Sequence, residues 1–268
     1  MYESYWGLTL KPFENTPDPR FLYHTPQHEE GLSRLLYVVR EGKGAALLTG
    51  VYGCGKTLLG RTLLRELEQD VYRAAFISNP RLDDLELLRM IAHRLGAPEL
   101  PTRKTDVLVA LERLFEENMR DGRRTVVVVD ECHAIEDPMI FEELRLLLNF
   151  QLEDRFMLTL ILMGQPELLP KINNNKQFAQ RLATRFHLEA LSTSEVAGYI
   201  EHRLKVAGAP RPLFNAEAVN TIAERAGGIP RRINHICDIS LLAGFTRGAA
   251  QIDRRLTEEA IESLGGSV

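Results

Sequence analysis

Eight consecutive residues match the phosphate-binding motif G-x-x-x-x-G-K-[ST], and they run from Gly50 to Thr57. Glycines in this motif let successive backbone N–H groups point at phosphate oxygens, while the lysine, here Lys56, adds positive charge. The hydroxyl of Thr57 is expected to bind Mg²⁺. The motif therefore predicts that the chain binds a nucleoside triphosphate. The residues expected to contact it are Gly50, Tyr52, Gly53, Cys54, Gly55, Lys56, Thr57 and Leu58.

Two carboxylates, Asp130 and Glu131, follow a run of four valines at positions 126–129. Such a run predicts a central parallel strand covered on both faces, and open α/β sheets bind ligands at the carboxyl ends of their strands. We expect Asp130 to hold Mg²⁺ through water, and Glu131 to orient and polarise the water that attacks the γ-phosphate. This Walker B pattern assigns binding and hydrolysis to different residues.

Three further polar side chains are candidates for catalysis. Gln165 follows the strand-like run 156–163, and from the end of a strand it could contact the γ-phosphate or the attacking water. The alternative for this glutamine is an ordinary turn residue. Arg181 and Arg185 are spaced i, i+4 on a predicted short helix, where solvent-exposed ion pairing is the alternative to a catalytic role.

Alternating strands and helices are predicted to position these residues. Strands are expected at 45–49, 74–78, 125–129 and 156–163, and helices at 84–95, 105–119 and 139–152. This alternation indicates an α/β fold in which helices flank a central parallel sheet. The asparagine-rich stretch 173–176 is expected to be a surface loop.

The pattern becomes all helical from Ser192 onward. Four helices are expected there, indicated by a capping box at Ser192 and Glu195, by Asn215 as a cap, by Pro230 in a first turn, and by apolar spacing from about Thr257. We therefore divide the chain into an α/β nucleotide-binding core, residues 1–191, and a small all-helical C-terminal lid domain, residues 192–268.

The composition is that of an ordinary cytoplasmic protein. Hydrophobic residues make up 44% of the 268 residues, charged residues make up 26%, and a net charge of −4 argues against a uniformly basic nucleic-acid binder. No apolar run approaches a membrane span and the N-terminus lacks a secretory signal, so we expect no direct membrane insertion. Cysteines are too few for a disulfide framework or a zinc cluster, and for Cys54 and Cys132 inert packing is favoured over a redox role.

Three strings of residues extend the pattern beyond the phosphate motif. They are the N-terminal series Tyr2, Trp6-Gly7-Leu8, Pro12-Phe13 and Thr16 to Tyr23, the string Gly164 to Leu168, and the string Gly227 to Asn234. With them the chain resembles the AAA+ ATPases of the ExeA, or general secretion pathway A, type, close to the Orc/Cdc6-like branch. The resemblance implies a P-loop NTPase core that uses ATP, ADP and Mg²⁺, with residues 1–30 as the family's N-terminal segment.

The resemblance also implies roles for single residues. Gln165 takes the sensor 1 position, and Arg231 takes the sensor 2 position in the lid, where it would contact the nucleotide. Arg181 or Arg185 would be the arginine finger supplied to a neighbouring subunit, so an ATP-dependent homo-oligomer, either a ring or a filament, is implied. The segment from Pro12 to Tyr23 would line the adenine pocket.

Two functional classes are expected. The first is a switch or motor ATPase that acts on an envelope, secretion or pilus assembly. ExeA proteins continue into a transmembrane helix and a periplasmic peptidoglycan-binding domain, whereas this chain ends soon after the lid. A separate membrane protein is therefore expected to supply the anchor.

The second class is a DNA-binding ATPase that forms ATP-dependent filaments or rings on duplex DNA and recruits a transposase. His133 is similar to its counterpart in transposition ATPases of the TniB, TnsC and MuB kind. The basic side chains expected to serve DNA are Lys171, Lys176, Arg181 and Arg185. A third alternative is a non-hydrolysing, nucleotide-gated scaffold, and the intact Glu131 counts against it.

Overall fold

The computed structural model describes residues 1–265, which form two compact units. One unit, here called the sheet unit, contains residues 29–50 and 59–188. The other, the helical unit, contains residues 1–28 and 51–58 and those from Glu189 onward. The division into core and lid at residue 191 stays a prediction.

A parallel sheet of five strands is the centre of the sheet unit. Its strands are β1 Ala45–Gly50, β2 Tyr72–Ile77, β3 Arg124–Val129, β4 Leu158–Gly164 and β5 Leu182–Leu188. They lie in the order β2-β3-β4-β1-β5, and each neighbouring pair is parallel. The predicted α/β fold with a central parallel sheet is therefore confirmed.

Helices occupy most of the remaining described chain. They are α1 Glu3–Trp6, α2 Pro26–Arg40, α3 Lys56–Glu66, α4 Asp84–Leu95, α5 Lys104–Arg120, α6 Pro138–Leu147, α7 Leu168–Asn174, α8 Lys176–Arg181, α9 Thr193–Val206, α10 Ala216–Ala226, α11 Pro230–Thr246 and α12 Arg254–Ser263. Short 3-10 turns lie at Pro19–Phe21 and Cys132–Ala134. Within residues 1–265, no helix has both the length and the apolar composition that crossing a membrane requires.

The inner strands are buried because both faces of the sheet are covered. Every residue of β1 and β4 is buried, and Arg124 is the exposed residue of β3. Alternate side chains of these strands, such as Leu47 and Val127, pack in one cluster with Ile91 of α4 and Phe115 of α5. The valine run predicted as a central strand is thus the strand β3.

The chain between β4 and β5 differs from the predicted pattern. Residues 173–176 are not a loop but the junction of α7 and α8, because the Asn175 side chain accepts a hydrogen bond from the backbone N–H of Phe178 (3.0 Å) and caps α8. Arg185 lies on β5, where it pairs with Leu47 of β1. The predicted short helix carrying both Arg181 and Arg185 is therefore wrong, since α8 ends at Arg181 and the pairing with β1 extends the chain.

Helices α9 to α12 form most of the helical unit, in agreement with the predicted helical lid. Ser192 and Glu195 form the predicted capping box, and Asn215 accepts a hydrogen bond from the backbone of Ala218 (2.8 Å) at the start of α10. The helix predicted near Thr257 begins earlier, at Arg254. The reason is that Asp253 caps it by accepting a hydrogen bond from Leu256 (2.9 Å).

The N-terminal segment packs within the helical unit. The Trp6 indole donates to the backbone carbonyl of Leu241 on α11 (3.0 Å). Arg203 of α9 is only 4% exposed and donates to the carbonyls of Pro12 and Glu14. Neutral acceptors thus hold the segment that the resemblance assigned to the adenine pocket.

Candidate functional site

Two glycines shape the phosphate loop, residues Gly50–Thr57, which links β1 to α3. Gly53 and Gly55 have φ angles of 82° and 106°, in the left-handed region that favours glycine. A Cβ atom added at Gly53 would also lie 2.7 Å from the Cβ atom of Arg231, which is closer than two such atoms approach. Backbone conformation and packing therefore both require glycine at position 53.

Lys56 places a cation at the end of this loop. It is the first residue of α3, it is only 5% exposed, and its Nζ donates to the backbone carbonyl of Val51 (2.9 Å). Thr57 and Leu58 follow in the first turn of α3, at the positive end of the helix dipole. The loop thus offers an ammonium group and the positive end of a helix dipole to an anion.

Arg231 contacts the phosphate loop from the first turn of α11. Its backbone N–H donates to the carbonyl of Gly53 (3.2 Å), and its guanidinium carbon lies 4.5 Å from the centre of the Tyr52 ring. Tyr52 is 57% exposed, so the stacked pair lies at the surface of the helical unit. The structure therefore brings the residue predicted as sensor 2 to the phosphate loop.

The thiols of Cys54 and Cys132 are each buried within their own unit. Burial raises the pKa of the Cys54 thiol and raises that of Cys132 further. The Cys132 Sγ donates to the carbonyl of Val129 (3.1 Å). Because the thiolate is the reactive form, these raised pKa values are typical of structural cysteines and support inert packing.

The acidic turn, residues Asp130–His133, follows β3. Asp130 is 2% exposed, and its Oδ1 accepts a hydrogen bond from the backbone N–H of Glu131 (2.8 Å). Glu131 has φ 56° and is the non-glycine residue at positive φ in the described chain. This conformation costs about 1–2 kcal/mol in a residue with a side chain, and strain of this kind is often found at functional sites.

Three predicted positions share one edge of the sheet. Gly50 ends β1, Asp130 follows β3 and Gln165 follows β4. The register pairs Thr49 with Gly164 and Val129 with Leu162, so these parallel strands end at the same edge. That edge is where open parallel sheets bind their ligands.

His133 connects the acidic turn to Gln165. The backbone N–H of Gln165 donates to the Nδ1 of His133 (3.3 Å), and the side-chain amide of Gln165 lies 2.8 Å from the Nε2. The same Nε2 lies 3.4 Å from the Oε2 of Glu131. The sequence singled out His133 only for its similarity to transposition ATPases, although its position two residues after Glu131 was the available signal for a place in the site.

The predicted finger arginines contact neutral groups outside the phosphate loop and the acidic turn. Arg181 stacks 5.8 Å from the centre of the Phe156 ring and donates to Asn149 (3.4 Å). Arg185 donates to the Asn173 side chain (2.8 Å) and to the Ala179 carbonyl (3.3 Å). Within this single chain, the contacts of Arg181 and Arg185 therefore place neither guanidinium at the phosphate loop or the acidic turn.

Comparison with known proteins agrees with this geometry. A sequence model described as the AAA domain matches residues 39–172, which is half of the chain. The chain belongs to the AAA domain family. It is 39% identical over 258 residues to general secretion pathway protein A of Aeromonas hydrophila, which confirms the resemblance predicted from the sequence. The match covers 94% of this AAA protein but 46% of the relative, so the chain spans less than half of that protein's length.

Solved structures show the same fold. The Aeropyrum pernix ORC1 protein, solved in complex with DNA, superimposes with a TM-score of 0.74 at 19% identity, over 95% of this chain and 69% of that one. The Aeropyrum pernix ORC2 protein, solved as ADPNP and ADP complexes, gives a TM-score of 0.70 at 16% identity, over 91% and 70% of the two chains. These likenesses support the Orc/Cdc6-like AAA+ fold of this chain.

Proposed function

We propose that this AAA domain binds ATP at the phosphate loop and hydrolyses it. The observation that carries the proposal is the conformation of that loop, in which two glycines at positive φ lead to a buried lysine at the start of α3. Nucleotide complexes of a protein with the same fold support this use of the loop. Mg²⁺, when bound, would neutralise phosphate charge, with the Thr57 hydroxyl as a ligand and Asp130 holding the ion through water.

Hydrolysis is assigned to the carboxyl edge of the sheet. Glu131 would orient the attacking water, and Gln165 would contact the γ-phosphate or that water. The buried Asp130 carboxylate and the strained backbone of Glu131 support these roles, since both are costly features in a purely structural turn.

Phosphate release from ATP tests this assignment. The purified chain should release phosphate with Mg²⁺ and lose the activity in EDTA. Asp130→Asn should lose it as well, because the carboxylate that would hold the ion is gone, whereas the exposed Asp70→Asn serves as a matched control. Equal release by the Asp130→Asn variant and the unaltered protein would contradict the proposal.

We further propose that ATP binding drives assembly of a homo-oligomer, with Arg181 or Arg185 supplied to the site of a neighbouring subunit. The support is that, within the described chain, both guanidinium groups contact neutral acceptors, and that of Arg181 also contacts an aromatic ring. Each Arg→Ala variant should be mixed with Lys56→Ala. Activity should return only for the finger variant, because the Lys56→Ala neighbour restores the missing arginine. Recovery for neither variant would contradict the assignment.

The partner proposed for this ATPase is a secretion-type assembly in the cell envelope, reached from the cytoplasm. The 39% identity to general secretion pathway protein A supports this choice. Duplex DNA with a transposase is less favoured. The Lys171 ammonium donates to the carbonyls of His133 and Ile135, both at 2.6 Å, and so is engaged within the chain.

A duplex-DNA binding assay distinguishes the two proposed partners, the secretion-type assembly and duplex DNA. We expect no ATP-dependent binding at low salt, because the Lys171 ammonium bonds within the chain and the chain carries a net charge of −4. Binding that requires ATP and weakens steeply with salt would favour the hypothesis that the partner is duplex DNA, since phosphate contacts release counterions.

A further inference from the structure

The imidazole of His133 faces two groups of the proposed hydrolytic site with one nitrogen. Its Nε2 lies 2.8 Å from the side-chain amide of Gln165 and 3.4 Å from the Oε2 of Glu131. The His133 side chain is 18% exposed, whereas that of Glu131 is 40% exposed. The ring is therefore fixed more firmly than the carboxylate it faces.

The hydrogen bonds around the ring determine where its proton lies. A backbone N–H can only donate, so the contact from Gln165 N requires Nδ1 to accept (3.3 Å). A neutral imidazole then carries its proton on Nε2. The amide nitrogen of Gln165 lies 2.8 Å from Nε2 and cannot donate to a nitrogen that carries a proton. We therefore place the amide with its oxygen toward that proton, because amide orientation is assigned from the hydrogen-bond network. One N–H thus has two acceptors within reach, the amide oxygen and the Glu131 carboxylate.

We propose that His133 is a positioning residue that transfers this single hydrogen bond between Gln165 and Glu131. While Gln165 accepts the bond, the Glu131 carboxylate is not held. When the Gln165 side chain turns to a bound nucleotide, the Nε2–H becomes available and fixes Glu131 for the attacking water. This inference rests on the proposed ATPase function and makes hydrolysis depend on the engagement of Gln165.

The backbone around the ring is suited to such an exchange. The Lys171 ammonium donates to the backbone carbonyls of His133 and Ile135. These bonds hold the acidic turn without involving the side chains that exchange the hydrogen bond. Glu131 has φ 56°, and its side chain is 40% exposed, so the carboxylate has room to move. The exchange therefore needs side-chain rotation only.

Substitutions at His133 test the role of Nε2. His133→Ala should bind ATP with unchanged affinity and lose about 10²-fold in single-turnover hydrolysis, the size expected for a misplaced catalytic group. A glutamine amide reaches the position of Nε2, whereas an asparagine amide reaches only that of Nδ1. His133→Gln should therefore retain more activity than His133→Asn. The exposed His93→Ala is the control and should change nothing. Equal rates for the Gln and Asn variants would overturn the proposal.

A double-mutant cycle with Gln165→Ala tests the exchange. Because Gln165→Ala leaves the Nε2–H free to hold Glu131, His133→Ala should still slow hydrolysis in the Gln165→Ala background. The absence of any further loss would show that His133 acts only on Gln165 and would overturn the exchange. The nitrogen chemical shifts of the ring add a readout that a packing role would not move: we expect the Nε2–H form, and an Nδ1–H form would overturn the proposal. If the unaltered chain does not hydrolyse ATP, the proposed ATPase function is wrong. If it does hydrolyse ATP but the variants do not behave as expected, only the exchange is wrong.

Discussion

The phosphate loop and the acidic turn both contain residues at positive φ, but they reach that conformation by different means. In the loop, Gly53 and Gly55 adopt it without steric cost, and the shape is encoded in the residue type. In the turn, Glu131 adopts it against its side chain. The loop is therefore built by permissive residues, whereas the turn keeps a carboxylate where glycine would be more stable, in line with the role in hydrolysis proposed for it.

Among changes that probe how the two segments reach positive φ, the largest effect is expected at Gly53. Gly53→Ala adds a Cβ 2.7 Å from that of Arg231 as well as strain at φ 82°. We expect ATP affinity to fall about tenfold to a hundredfold, or roughly 1.4–2.7 kcal/mol, measured by titration with a fluorescent nucleotide. Gly227→Ala is the matched control, because Gly227 also has positive φ but open space around it. If the control loses the same affinity, strain alone explains the loss and the contact with Arg231 is irrelevant.

Arg231 is expected to distinguish ATP from ADP. Arg231→Ala should weaken ATP binding about tenfold, the equivalent of one charge-assisted hydrogen bond, and ADP binding much less. Arg232→Ala provides the control, since Arg232 is the exposed neighbour on the same turn. Equal losses for ATP and ADP would show that Arg231 only supports the loop.

A smaller effect is expected from the backbone of the acidic turn. Glu131→Gly and Glu131→Ala should both lack hydrolysis, but the glycine variant should be more stable by about 1 kcal/mol, because glycine relieves the positive φ that alanine retains. Urea unfolding of the two variants measures the difference. An alanine variant as stable as the glycine variant would show that the turn carries no strain.

The smallest effect is expected at Tyr52, whose exposed ring lies against the Arg231 guanidinium. Tyr52→Ala should cost about 0.5–1 kcal/mol in unfolding free energy, the worth of an exposed cation–π contact. Tyr52→Phe keeps the ring face and should cost almost nothing. A phenylalanine variant as weak as the alanine variant would assign the effect to the hydroxyl instead.

Local signals predicted the parts of the molecule that local chemistry builds. The phosphate loop, the capping box at Ser192 and the helix start at Pro230 depend on neighbours within a few residues, and each is present. Helix α6 was predicted to reach Leu152 but ends at Leu147. After Leu147 the backbone hydrogen bonds join residues three apart instead of four, as from the Asn149 N–H to the Leu146 carbonyl (2.9 Å). The spacing of apolar residues does not predict this change.

Pairings between distant residues could not be predicted in the same way. Arg185 was assigned to a helix because i, i+4 spacing with Arg181 is a local pattern, whereas its pairing with Leu47 joins strands far apart in the chain. The contact of His133 with Gln165 likewise depends on β3 and β4 being neighbours. The residue types of the site were thus available from the sequence, but the hydrogen bonds among them required the strand order.

Binding and hydrolysis are assigned to different regions, and one paired measurement tests this most directly. Equilibrium binding and single-turnover hydrolysis of ATP should be measured for Lys56→Ala and Glu131→Gln. Lys56→Ala should lose binding, because the buried ammonium of the phosphate loop is removed. Glu131→Gln should bind ATP as the unaltered chain does and fail to hydrolyse it. Equal loss of binding in both variants would contradict the separation of roles.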